Sequence, residues 1–299
     1  MIETTAMTDI SSLADLHCPA CDSSDQQAMP PYNGYAMACC PTCTLVHTHQ
    51  RKFALEQYND VYAAMHVYQD MLAAARKTAV GTIGFRELWW YKRLALRWLE
   101  AAKPHAGRRR LLDVGCGPGT FLLVARERGW DVSGAEPTRE PAELAQSFHL
   151  DVHHGLVEEL VSKREGEYDA ITCFEVLEHV SHPTEMLSAM RSMLKADGLM
   201  LLSVPNLDDP YCLKQRIGPA MPPVHVNFFN RRSIAAALER AGLEVVKYKS
   251  LPIPTSSVRN IHGRRGLLLR LPLLISMRLI GRADGTTLIV LARRIGPAR

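Results

Sequence analysis

The first fifty residues contain no lysine and no arginine. A segment so bare of positive charge carries no electrostatic footprint for a phosphate backbone, which argues against nucleic acid as its partner. Long apolar runs are missing as well. The most apolar stretch, 266–280, is broken by Arg270, Pro272 and Arg278, too short and too charged to span a bilayer. Residues 1–15 have neither the basic start nor the apolar core of a signal peptide, so they read as a disordered leader on a cytoplasmic protein. Cysteine is scarce outside one cluster: five of the eight lie between Cys18 and Cys43, which fits a reducing compartment and a metal site better than a disulfide scaffold. Aromatic residues are only 7% of the 299, yet 47% hydrophobic and 22% charged residues supply an ample globular core.

The charge is unevenly placed. Residues 251–299 hold nine arginines against one acid, Asp284, a balance of +8 that leaves −4 for the rest of a chain of net +4. Such a basic segment suits nucleotides, anionic lipid or nucleic acid, or simply a solvated face.

The most informative stretch runs from Leu111 to Leu122, L-L-D-V-G-C-G-P-G-T-F-L. Apolar residues lead into Asp113, then Gly115, Gly117 and Gly119 alternate, then an apolar helix begins. This is a buried strand ending in a tight turn whose backbone can approach a ligand closely. The pattern misses the dinucleotide signature G-x-G-x-x-G, because Thr120 holds the sixth position, and no Lys-Ser/Thr pair makes a P-loop. Asp113 is placed to accept from an amine-bearing ligand.

Beyond the turn, strands alternate with helices in the manner of a parallel α/β sheet. Strands are expected at 110–114, 131–135, 151–154, 168–173, 198–203, 243–248 and 286–292, with helical stretches at 119–129, 140–149, 156–163, 183–195 and 231–241, the last capped by Asn230. The final two strands would form a hairpin but for the insertion 250–283. Four regions follow: a leader 1–15, a cysteine-rich segment 16–50, a helical cap segment 51–106 and a cofactor-binding domain 107–299. Glu136, at the end of the second strand and about twenty residues past the turn, is placed to accept from both ribose hydroxyls.

The form D-x-G-x-G-x-G resembles motif I of class I S-adenosylmethionine (SAM) methyltransferases. At the end of the fourth strand, Cys173-Phe174-Glu175-Val176-Leu177-Glu178-His179-Val180 resembles the corresponding motif of the small-molecule branch related to ubiquinone-pathway O-methyltransferases, and the likeness covers about 85–293. It implies a Rossmann-like, seven-stranded, mostly parallel sheet with the last strand antiparallel. It also implies SAM as cofactor, held by Asp113, Gly115, Cys116, Gly117, Gly119, Glu136, Leu156 beside the adenine, Phe174 and Glu175. Tyr58, with Tyr62, resembles a tyrosine-bearing helix that closes over SAM. Some relatives bind metal beside the acceptor hydroxyl, so Glu175, Glu178 and His179, at i, i+3 and i+4, are candidate ligands for Mg²⁺ or Mn²⁺; the alternative is that they cap the turn and brace the cofactor loop.

Cys18 and Cys21, eighteen residues from Cys40 and Cys43, form two C-x-x-C knuckles for tetrahedral Zn²⁺. Cys39 is the poorer ligand by spacing, and His47 and His49 are alternatives. Similar ribbons precede the catalytic domain in bacterial sugar and cell-surface methyltransferases. Methyl transfer needs mainly alignment, with a base where the nucleophile is a hydroxyl. His225, ahead of Asn227-Phe228-Phe229, is the first base candidate and His179 the second. The expectation is O-methylation of a small molecule such as a sugar, a polysaccharide unit or a secondary metabolite. The alternatives are an RNA methyltransferase and a non-catalytic SAM-binding scaffold. The insertion 250–283 would be a lid, a dimer surface or a peripheral membrane element.

Overall fold

The computed structural model describes residues 16–32, 34–49, 72–73, 75–76, 88–102, 107–208, 222, 224–251 and 285–296. The predicted leader, Tyr58, Tyr62, most of the cap segment and the insertion beyond Leu251 lie outside the described residues.

One sheet dominates. Strands β4 (Arg109–Val114), β5 (Trp130–Glu136), β6 (Asp151–His154), β7 (Tyr168–Phe174), β8 (Leu194–Pro205), β10 (Leu243–Leu251) and β11 (Thr287–Arg294) lie in the order β10-β11-β8-β7-β4-β5-β6. The pairs β4–β5, β4–β7, β5–β6 and β7–β8 are parallel, while β11 is antiparallel to both neighbours. The expected broken hairpin is present, with Leu251 opposite Thr287 on either side of the insertion. Strand order reverses between β4 and β7, and in an open α/β sheet ligands bind where the strand ends diverge at such a point. Asp113 and Gly115 stand at the end of β4, and Phe174 and Glu175 at the end of β7.

The central strands are buried on both faces, as a parallel sheet requires. Helices α1 (Trp90–Ala102), α2 (Thr120–Glu127) and α3 (Arg139–Ser147) cover one face through Leu96, Leu99, Phe121 and Ala145. Helices α4 (Pro183–Met193) and α5 (Arg231–Arg240) cover the other through Leu187, Met190, Ile234 and Leu238. Pro183 opens α4, where a missing N–H is harmless. Asn230 caps α5 as expected: its Oδ1 accepts from the Ser233 N–H, and Ser233 Oγ accepts from the Asn230 N–H, both at 2.9 Å.

Element boundaries shift by a few residues from expectation, most at the start of β8. The helical stretch expected at 156–163 is a 3-10 helix over Val157–Lys163. β8 begins at Leu194, inside the predicted helix, because Leu194 pairs with Tyr168 before a register shift.

The cysteine-rich segment does not fold as a separate sheet. Strands β1 (Gln27–Tyr32), β2 (Tyr35–Cys39) and β3 (Val46–Thr48) are completed by β9 (Asn227–Phe228), which arrives from beyond β8 and pairs antiparallel with β3. Cys18, Cys40, Cys43 and Leu45 are packed in the same core as Phe229 and Ile234. Polar contacts fasten the segment: Thr184 Oγ1 donates to the Pro19 carbonyl at 2.6 Å, Thr44 and Asn230 exchange side-chain hydrogen bonds, and Arg240 pairs with Asp22 at 2.9 Å. Among the described residues, no helix is long and apolar enough to cross a membrane.

Candidate active site

The glycine turn is shaped as much by its protein neighbours as by any ligand. Gly115, Gly117 and Gly119 have φ of 69°, 55° and 76°, in the left-handed region that glycine tolerates. A Cβ on Gly115 would lie 2.4 Å from Val176 Cγ2, and one on Gly119 would lie 2.4 Å from Leu150 Cδ1. The turn is tied to β5 by the N–H groups of Gly115 and Cys116, which both donate to the Ala135 carbonyl. Cys116 itself is buried, its sulfur facing Gly134, where a Cβ would come within 2.7 Å of it. Its side chain is packing, so any contact it makes with a cofactor is through the backbone.

Glu136 ends β5 and is buried. Its Oε2 accepts from the Gly117 N–H and its Oε1 from the Thr138 N–H, both at 2.9 Å. The carboxylate thus braces the glycine turn, and each oxygen keeps a lone pair for a further donor. Burial pushes its pKa up, while the two backbone donors pull it down. Gly155 donates its N–H to the Glu136 carbonyl, which sets Leu156, 48% exposed, beside the ends of β5 and β6.

Asp113 is buried, with Oδ1 accepting from Thr172 Oγ1 at 2.6 Å. Oδ2 has no hydrogen-bond partner among the described residues. Burial raises its pKa to about 6 against the opposing charge of Lys92. An unsatisfied buried carboxylate oxygen beside a glycine turn fits the amine end of an amino-acid-bearing cofactor. Lys92, on α1, places its ammonium 5.1 Å from the Phe174 ring, which packs edge-on against Phe121. The sequence reading missed Lys92 and Tyr91, both of which reach this site from α1; helical spacing located that helix without saying which end faces the ligand. Tyr91 lies against Phe174, and burial with the nearby carboxylates of Glu175, Glu178 and Asp113 pushes its pKa well up.

Past β7 the chain turns sharply. Glu175 has φ of 57°, a conformation that costs a non-glycine residue of order 1 kcal/mol or more. Its N–H donates to the Ser203 carbonyl and its Oε1 accepts from Ser203 Oγ at 2.7 Å. A 3-10 turn, Leu177–His179, follows. His179 Nδ1 lies 2.7 Å from the Val224 carbonyl oxygen. That oxygen can only accept, so Nδ1 carries the proton and the lone pair of the neutral ring is on Nε2, which lies 3.8 Å from Glu178 Oε1. Burial lowers the His179 pKa to about 4, and burial together with His179 pushes His225 well down. The two rings stand edge to face, 4.6 Å between centroids. Glu178 is buried, neither carboxylate oxygen is hydrogen-bonded among the described residues, and burial followed by the charge of Glu175 raises it well above the usual carboxylate range.

The expected Mg²⁺ set is therefore rearranged. Glu178, His179 and His225 each bring one ligand atom within 4.8 Å of the others, while Glu175 is outside this group and engaged with Ser203. Positive φ at Glu175 takes it off the helical face that i, i+3, i+4 spacing assumes. Two imidazoles and one carboxylate suit a borderline transition metal better than Mg²⁺.

The four knuckle cysteines converge, with Cys18 and Cys43 sulfurs 3.4 Å apart and those of Cys21 and Cys40 3.5 Å apart. Zn–S bonds of ~2.3 Å imply a tetrahedral S–S edge of about 3.8 Å, close to this arrangement. The Cys43 thiol, hydrogen-bonded to Cys18, lowers the Cys18 pKa to about 5, while the same bond and burial push Cys43 up. Cys39, His47 and His49 fall outside the cluster; His47 instead contacts Gln26 and the Thr48 carbonyl. A groove of about 720 Å³ between the ribbon and α5 touches Cys21 and Cys43 but none of the predicted cofactor or base residues.

With this geometry in place, the family follows from comparison: residues 86–248 match the family described as a methyltransferase domain. The chain belongs to the methyltransferase domain family. It is a class I, SAM-dependent member of that family, and its sheet order agrees. It is 30% identical over 174 residues to a ubiquinone biosynthesis O-methyltransferase of Bordetella avium, covering 54% of this chain and 72% of the relative. It is 34% identical over 128 residues to the enzyme of the same name in Dechloromonas aromatica, covering 41% of this chain and about half, 55%, of that one. Among solved structures it resembles the 1,6-didemethyltoxoflavin-N1-methyltransferase of Burkholderia thailandensis, crystallised with S-adenosylhomocysteine, at TM-score 0.50 and 19% identity, over 90% of this chain and 100% of that one. The [4+2]-cyclase SpnF has the same fold at TM-score 0.54 and 17% identity, over 82% and 98%. A shared fold with a cyclase is a reminder that fold alone does not fix the reaction.

Proposed function

We propose that this methyltransferase carries the methyl group of SAM to a hydroxyl oxygen of a small molecule, at a site walled by His179 and His225 and backed by a structural zinc ribbon. The observation that carries the reading is the His179 ring, its Nδ1 fixed by the Val224 carbonyl, in edge-to-face contact with His225. Bound SAM supplies an electrophilic methyl on a sulfonium. A hydroxyl attacking that carbon must lose its proton, and a neutral imidazole is the base suited to take it. His225 is the first candidate and His179 the second.

The cofactor's residues are assigned by chemistry. Asp113 Oδ2 accepts from the amine end, Glu136 from the ribose hydroxyls, and the backbone of Gly115, Cys116, Gly117 and Gly119 lines the cradle. Leu156 and Phe174 supply apolar walls, and Glu175 braces the turn through Ser203. The role given to Tyr58 concerns a position outside the described residues. Cys18, Cys21, Cys40 and Cys43 hold Zn²⁺. A divalent transition metal on Glu178, His179 and His225 is the second reading, favoured by the convergence of their three ligand atoms within 4.8 Å.

A small acceptor is preferred to RNA because residues 1–50 contain no lysine or arginine, and the ribbon's knuckles are packed in the protein core. Incubation of the full chain with SAM and a metabolite extract tests the reading: S-adenosylhomocysteine should accumulate while one metabolite gains the mass of a CH₂ group at oxygen. Absence of S-adenosylhomocysteine, or methyl appearing only in RNA, would count against it.

A further inference from the structure

The segment 224–228 lies between the ribbon and the turn that carries Glu178 and His179, and it is bonded to both. On the ribbon side, Val46 pairs with Phe228, His47 pairs with Asn227, and the Thr48 N–H donates to the Val226 carbonyl at 2.9 Å. On the turn side, the Val226 N–H donates to the Glu178 carbonyl at 2.8 Å and His179 Nδ1 donates to the Val224 carbonyl at 2.7 Å. Asn227, 1% exposed, adds two more: its Nδ2 donates to the carbonyls of Leu177 at 3.1 Å and Val180 at 2.7 Å.

This arrangement matters because neither layer can hold itself. A 3-10 turn of three residues has too few internal bonds to fix its own orientation. A two-residue strand has no register without a partner strand. Asn227 bridges them: its backbone is in the ribbon sheet, while its side chain satisfies carbonyls at both ends of the turn. His225 is two residues before Asn227 on the same segment, so both imidazoles are referred to one frame.

We infer that the ribbon forms the outer wall of the acceptor side of the site, with Asn227 as a positioning residue that passes the register of β3 to the turn bearing Glu178 and His179. The inference rests on the reading of His179 and His225 as the acceptor-side pair. The ribbon's contribution to the chemistry is then the spacing of those two rings, supplied through hydrogen bonds rather than through any group that touches a substrate.

Two variants of the full chain test this. Asn227→Ala removes the bridge from inside, and Thr48→Pro removes the N–H that holds Val226 from the ribbon side. In each, backbone amides of residues 177–180 and 225–228 should exchange about ten- to a hundredfold faster, while those of 111–136 stay as in the wild type. The ring resonances of His179 and His225, followed in histidine-labelled protein, should shift or broaden, and S-adenosylhomocysteine affinity should stay within about threefold. Asn227→Ser, which keeps one donor, should fall between, and it replaces Asn227→Ala should that variant not fold. Unchanged exchange and ring signals in the variants would overturn the inference, and so would equal acceleration across the whole molecule. Failure of the wild type to bind S-adenosylhomocysteine would instead overturn the methyltransferase reading and leave the positioning claim to be judged on exchange alone.

Discussion

The imidazole rings of His179 and His225 meet edge to face at 4.6 Å, and burial keeps both in the neutral form at neutral pH. Neutral rings can take up a hydroxyl proton, as weaker bases than an exposed imidazole. Replacing His225 by Gln should lower turnover by about 10²- to 10⁴-fold with little change in S-adenosylhomocysteine affinity, and His179→Gln should have a smaller effect. Turnover and calorimetric binding on the same samples check this; intact turnover in His225→Gln removes it as the base.

The same depression has a consequence for acid stability. His179 titrates near 4 in the folded chain against 6.5 ordinarily, so between those values the unfolded chain takes up a proton that the folded chain refuses. Stability is therefore full above about pH 6.5 and is lost as pH falls towards 4, by up to about 3 kcal/mol for this residue. Urea unfolding from pH 7 to pH 4 should show that slope in the wild type and a weaker one in His179→Gln.

Asp113 works in the opposite sense. Its folded pKa is raised to about 6 from 3.8, so its contribution is fully present below about pH 4 and is lost as pH rises through 6. In the protein without cofactor, Asp113→Asn should raise stability at pH 8 by of the order of 1–3 kcal/mol, with SAM affinity reduced at least tenfold. Denaturation and binding measured together test the trade, and a variant that is less stable at pH 8 contradicts it.

Gly119 and Gly107 make a controlled pair. Both have positive φ, 76° and 88°, but a Cβ on Gly119 meets Leu150 at 2.4 Å whereas one on Gly107 meets nothing within 4 Å. Gly107→Ala should destabilise by about 1 kcal/mol from backbone strain alone, and Gly119→Ala by about 2–4 kcal/mol because overpacking is added.

The ribbon should hold one zinc per chain, measured by elemental analysis of protein grown without added metal. Cys18→Ser and Cys43→Ser should lose it together with thermal stability, because the ligands share a core with Leu45 and Phe229. Cys39→Ser should retain it, since Cys39 lies outside the converging set. Equal loss in all three variants would point to a different ligand set.

Much of this was readable in the sequence because it depended on local pattern. The alternation of apolar strands with helices, the Asp113–Gly119 turn, the cap at Asn230 and the paired knuckles each follow from residues close together in the chain. What escaped depended on distant partners. β9 is two residues long and shows no periodicity, and its pairing with β3 spans some 180 residues. Glu175 looked helical because spacing does not reveal the sign of φ. Lys92 and Tyr91 belong to the site through packing of α1, and no motif marks them. The early start of β8 was masked by Lys195-Ala196-Asp197-Gly198, which reads as a turn.

The pairing of β3 with β9 also orders biosynthesis. The knuckle cysteines leave the ribosome first, yet Thr44 finds Asn230 only after 186 more residues have been made, and β3 waits as long for β9. Metal can gather the cysteines early, but the sheet around them closes only when residues 227–228 emerge. A nascent chain of this protein thus carries an open strand edge on β3 until β9 is made, which is an interval in which it is exposed to mispairing with other chains.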